Sequence, residues 1–125
     1  MRNFLRAACG LLGLLFLVNA LGWATGPGSA AEGLGMPLLD GLGRSTQIGD
    51  IGALFVTAAT LLLIGAWKER AGWLEAAAIL LGSAAVMRTL AWAAHGADFA
   101  PVFIGAEVLT AVVAGFTAKL VAGSP

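Results

Sequence analysis

The chain has 125 residues, of which 59% are hydrophobic and only 11% charged, and its mean hydropathy is +0.91. A soluble domain carries about 25% charged residues, so this deficit points to a membrane rather than to a water-exposed surface around a large core. Seven basic residues balance seven acidic ones, which excludes a general nucleic-acid surface, and the lone Cys9 excludes an internal disulfide or a Cys-x-x-Cys redox or zinc motif.

Residues 4–24 form the first segment, in which Arg2 and Arg6 precede an apolar run whose one strongly polar interruption is Asn19. The run is long for the apolar part of a signal peptide, so it is read as a transmembrane helix. Residues 25–46 are the longest connection. Six glycines with Pro27 and Pro37 exclude one regular helix there, and Met36, Leu38 and Leu39 are apolar enough to fold over the outer mouth of a bundle. The stretch Asp40–Arg44 reads as a turn, with Ser45 or Thr46 capping the next helix. Further helices are expected over 47–67, 72–94 and 102–121, each near the length that spans about 30 Å of hydrocarbon. The predicted fold is therefore all-α, a single integral membrane four-helix bundle over residues 1–125.

Basic residues set the expected orientation. With both termini cytoplasmic, Arg2, Arg6, Lys68, Arg70 and Lys119 fall inside, and only Arg44 and Arg88 fall toward the outside. Trp67 and Trp73 then mark the inner interface, and Trp23 and Trp92 the outer one. Two short matches suggest an internal repeat of two parallel helical hairpins. Ile51-Gly52-Ala53 with Thr57-Ala58 recurs as Ile104-Gly105-Ala106 with Thr110-Ala111, and Leu21-x-Trp23-Ala24 recurs as Leu90-x-Trp92-Ala93. Small residues at four-residue spacing (Gly49, Ala53, Thr57; Ala78, Gly82; Ala106, Thr110, Ala114) would let helices approach closely.

Depth, counted at 1.5 Å per residue, gathers the polar residues into a layer. Asn19, Asp50, Arg88 and Glu107, one from each helix, all lie roughly 5–8 Å below the outer interface. Arg44, Gln47 and His95 lie just above, at the mouth. Arginine stays protonated, and an arginine in a membrane helix is costly without a partner. Arg88 is therefore expected to pair with Glu107 or Asp50, with two N–H groups forked onto one carboxylate. Glu75, near the inner interface, is expected to snorkel or to pair with Lys68 or Arg70. One histidine and scattered carboxylates lack metal-ligand spacing.

The Gly41-x-Gly43-Arg44 segment, Gly49-x-x-Gly52, Arg88 and Glu107 together resemble a small bacterial membrane family, domain of unknown function 4345, which is similar to the wider DoxX-like group. The resemblance covers roughly residues 38–120. It implies a four-helix bundle in a bacterial inner membrane and no established reaction. Some DoxX-like relatives act in redox chemistry, through cysteines or as oxidase-complex subunits; the single Cys9 leaves this chain without the cysteine pair.

Three functions compete at this stage. In the first, an outward-facing site of Asn19, Asp50, Arg88 and Glu107 binds a small ligand or lipid headgroup. In the second, the chain is an accessory subunit of a larger membrane complex or a homo-oligomer, and the polar layer only locks its helices in register. The third, a small proton-coupled transporter, is weakened because helix one carries no glutamate. No nucleophile–base pair and no cofactor motif supports an enzyme. The expected partners are the lipid bilayer and a ligand or membrane complex, with no cofactor and no nucleic acid.

Overall fold

The computed structural model describes residues 1–124. Five helices run α1 Arg2–Thr25, α2 Pro27–Gly33, α3 Gly41–Trp67, α4 Ala71–His95 and α5 Pro101–Ala122, and no strand occurs among the described residues. All but the short α2 are long and apolar enough to cross a membrane. Their outward faces carry Leu14, Val18, Ile79, Val86 and Phe116, all exposed, as suits a surface solvated by lipid rather than water. The chain is thus an all-α bundle of four membrane-spanning helices.

Contacts between pairs of helices show how they run. Gly13 meets Leu62 and Leu63, Phe16 meets Phe55, and Trp23 meets Gly52, so α1 and α3 are antiparallel neighbours. Ala78 meets Gly115 and Gly82 meets Ala111, so α4 and α5 are another such pair. Gly65 against Leu74 joins the two hairpins on one side. Cys9 against Thr117 and Arg2 against Ser124 join α1 to α5 and close the ring. The core inside this ring consists of Cys9, Leu62, Leu74, Ala77, Ala114 and Ala118, all fully buried. Small residues dominate it because helices that lack a hydrophobic driving force in lipid gain most from close approach.

Ala78 and Gly82 act as the small-residue pattern predicts, whereas Gly49, Ala53 and Thr57 face outward. Two other glycines set the tightest approaches. A Cβ on Gly13 would lie 2.8 Å from Leu63 Cγ, and one on Gly65 would lie 2.9 Å from the Leu74 side chain.

The second membrane helix begins six residues earlier than expected. Asp40 is its N-cap residue, in extended conformation, and Ser45 and Thr46 lie inside the helix instead of capping it. Glycine is a poor helix former, which is why Gly41 and Gly43 read as a turn. The Arg44 side chain closes this first turn by donating to Leu39 O at 2.8 Å and pairing with Asp40 at 3.0 Å. Residues Gln47–Ile51 then adopt a π-helical turn before the regular helix resumes at Gly52.

At the opposite end, Glu69 takes φ +50 in the tight turn between α3 and α4. Its carboxylate pairs with Arg6 at 2.6 Å and lies 3.8 Å from Arg2. Arg6 also donates to Ala66 O at 2.9 Å, so the start of α1 is fastened to the end of α3. Glu75, expected to snorkel or to pair with Lys68 or Arg70, is exposed and makes no ion pair among the described residues; Glu69 is the acid that engages the basic end. The tryptophans divide likewise. Trp67, Trp73 and Trp92 are exposed, but Trp23 is only 2% exposed and packs over Gly52 as part of the core. Gly52 presents no side chain, so the indole turns inward rather than joining an interfacial belt.

Candidate functional site

Arg88 stands on α4 and Glu107 on α5, level with one another because the two helices are antiparallel neighbours. Arg88 Nε donates to Glu107 Oε1 at 2.7 Å. This is a one-point contact rather than the expected fork of two N–H groups. The guanidinium carbon lies 4.8 Å from the centroid of the Phe103 ring, one α5 turn before Glu107, a cation–π distance. Nε meets the carboxylate, while the Nη groups donate to no acceptor among the described residues. Glu107 keeps only 12% of its side chain exposed, and its second oxygen, Oε2, is buried and accepts no hydrogen bond among the described residues.

The pair forms one wall of a cavity of about 260 Å³. Phe16 and Phe55, with ring centroids 5.8 Å apart, form an aromatic wall. Leu12 and Thr110 lie toward the bundle core, and Leu34, from the segment after α2, also lines the space. Leu15, Asn19, Ala106 and Leu109 line it too and are exposed, so the cavity opens sideways between α1 and α5. These two helices are joined toward the basic end, where Cys9 Sγ donates to Thr117 Oγ1 at 3.3 Å and Arg2 donates to Ser124 Oγ at 2.7 Å. The cavity lies at the other end, where neither link holds them.

The predicted layer is only partly assembled. Asn19, Arg88 and Glu107 line one cavity. Asn19 donates its amide to Leu15 O at 2.9 Å, satisfying its own helix, and makes no hydrogen bond to the pair. Asp50 does not join them: it lies on the π-helical turn, is exposed, and makes no side-chain hydrogen bond or ion pair among the described residues. The extra residue of a π turn rotates the helix face, so a depth that matches Arg88 does not bring Asp50 inward.

The three mouth residues have separate roles. Arg44 pairs with Asp40 as described above. His95 is exposed at the last turn of α4, before Gly96 ends the helix at φ +69. Gln47 is buried and holds the connecting segment. Its Oε1 accepts from Leu39 N–H at 2.7 Å, and its Nε2 donates to Pro37 O at 3.0 Å and to Met36 Sδ at 3.3 Å. Of the apolar residues expected to cover the mouth, Met36 and Leu38 are half-buried and Leu39 is exposed. Leu34, not singled out in the sequence, is the residue of this segment that reaches the cavity. Phe16, Phe55 and Phe103 were also not singled out, and an aromatic one turn from each membrane charge is the signal that marks Phe103. No group of three or more metal-ligating side chains occurs among the described residues.

Comparison of the chain with protein families, with curated proteins and with solved structures finds no match.

Proposed function

We propose that this multi-pass membrane protein binds a small amphipathic ligand or a lipid headgroup in the cavity walled by Arg88 and Glu107. The observation that carries the reading is an ion pair set in a mostly apolar, side-opening cavity, with donors on Arg88 and an acceptor on Glu107 that the described residues leave unused. A pair serving only to hold two helices together gains most when both partners are fully hydrogen-bonded. Ionisable groups inside a membrane bundle commonly mark ligand or ion sites. Aromatic and aliphatic walls with a few placed polar groups are the usual make-up of a small-molecule site. In this reading the protein lies in a bacterial inner membrane with its basic end cytoplasmic, and the cavity faces the outer half of the bilayer.

The test is purification in a mild detergent followed by native mass spectrometry. The expected result is a small molecule bound one to one, lost in the Arg88→Leu/Glu107→Gln double variant while the helical content of that variant is unchanged. A stoichiometric partner chain with no bound small molecule would instead favour an accessory-subunit role.

A further inference from the structure

We infer that the ligand's polar end is a neutral hydroxyl-bearing group, the head of an alcohol-type amphiphile, and not an anion. The inference rests on the reading that the cavity holds a ligand and adds the ligand's chemical class. Its first ground is charge. Arg88 and Glu107 are the only ionisable residues that line the cavity, and at 2.7 Å they neutralise each other. A carboxylate or phosphate entering this space would bring an uncompensated negative charge into a low-dielectric region, beside the carboxylate of Glu107.

The second ground is the hydrogen-bond inventory. Glu107 lines the cavity, and its buried Oε2, without a partner among the described residues, needs a donor, which an anion such as a carboxylate lacks. The Arg88 Nη groups need an acceptor. A hydroxyl supplies both, with its proton to Oε2 and its lone pairs to Arg88. An ether or ester supplies only the acceptor, and an ammonium only the donor. The third ground is size and shape. A cavity of about 150 Å³ accommodates benzene, so 260 Å³ holds a polar head and the first few carbons. The remaining chain would leave through the opening past Leu15 and Leu109, both exposed on the apolar outer surface.

The test compares four probes of one chain length on the purified protein in nanodiscs of zwitterionic lipid: dodecanol, dodecyl methyl ether, dodecanoate and dodecylammonium. Binding is read by displacement of a fluorescent fatty alcohol. Dodecanol should bind tightest, with the ether roughly tenfold weaker because Oε2 stays unpaired, and the two ions weaker than the alcohol. Dodecanoate binding as well as dodecanol, or the ether matching the alcohol, overturns the hydroxyl assignment and leaves the ligand-binding reading standing. Saturation by none of the five compounds overturns the binding reading as well. Glu107→Gln supplies a second measurement, because it leaves Arg88 uncompensated. Dodecanoate should then bind more tightly than dodecanol, and an unchanged order of preference in the folded variant contradicts the charge argument. If that variant does not fold, the wild-type series alone decides.

Discussion

Glu107 places one oxygen on Arg88 and leaves the other without a partner among the described residues, so substitutions at these two positions should be strongly non-additive. Glu107→Gln removes the charge that Arg88 needs. It should destabilise by about 3 kcal/mol, the low end for breaking a buried pair, because Arg88 keeps 35% of its side chain exposed. Adding Arg88→Leu should recover part of that loss, since an unpaired charge in a low-dielectric region is worse than none. Cys9 offers a readout for this cycle: as the single cysteine, wholly buried against Thr117, it should react with a thiol reagent only when the bundle opens. Strictly additive effects on the alkylation rate and thermal midpoint would mean that the two residues are uncoupled. The pairing itself was legible in the sequence, because depth along a helix is a matter of counting and a membrane arginine demands a carboxylate. The exclusion of Asp50 was not. Depth fixes height but not rotation about the helix axis, and the π-helical turn at Gln47–Ile51 alters that rotation without any mark in composition.

At the scale of single elements, the connecting segment and the glycine contacts give two further expectations. Gln47 accounts for three hydrogen bonds to residues 36–39. Gln47→Leu should therefore release this segment while the helices persist, at about 1–3 kcal/mol for the buried groups left unpaired. Protease cleavage between residues 34 and 40 should rise in the variant, with little change in helical circular dichroism. Unchanged cleavage would show that Leu34 and Met36 hold the segment without Gln47. The second expectation concerns the hairpin junction. Gly65→Ala places a methyl group 2.9 Å from the Leu74 side chain and 3.3 Å from its backbone nitrogen. The side chain can turn but the backbone cannot, so a loss of about 1–3 kcal/mol is expected, read as a lower thermal midpoint. Gly82→Ala meets only Ala111, at 4.0 Å, and should leave that midpoint nearly unchanged. The four long helices were legible from apolar run length. The start of α3 was not, because Gly41 and Gly43 weigh against a helix and the contact that closes its first turn is made by a side chain, Arg44. Trp23 was likewise placed at an interface from its position near a helix end, while its burial depends on the bare surface of Gly52 across the bundle.

Across the whole molecule, charge is divided between the two ends of the bundle. Arg2, Arg6, Lys68, Arg70 and Lys119 occupy one end, against Glu69 and Glu75; Glu32, Asp40, Asp50 and Asp98 occupy the other, against Arg44. Four spans return the chain to the side on which it started, so both termini share the basic end. The bias in lysine and arginine near membrane segments sets which side that is, and the proposed orientation puts the basic end in the cytoplasm. A reporter that works only in the cytoplasm should be active when fused after Ser124. A single cysteine introduced at Gly35, in a Cys9→Ala background, should react with an impermeant thiol reagent added from outside. Activity of the reporter only outside the membrane, or protection of position 35 in intact cells, would reverse the orientation. The basic residues can also be tested separately from the packing they support. Arg6 is tied to Glu69 and Ala66 O, so its removal disturbs the fold as well as the charge. Lys68 and Arg70 make no ion pair and no side-chain hydrogen bond among the described residues. Lys68→Gln/Arg70→Gln should therefore leave the thermal midpoint within about 0.5 kcal/mol of the parent, yet raise the fraction of molecules inserted in the opposite orientation. A double variant that inserts with one unchanged orientation would assign topology to Arg2 and Arg6 alone.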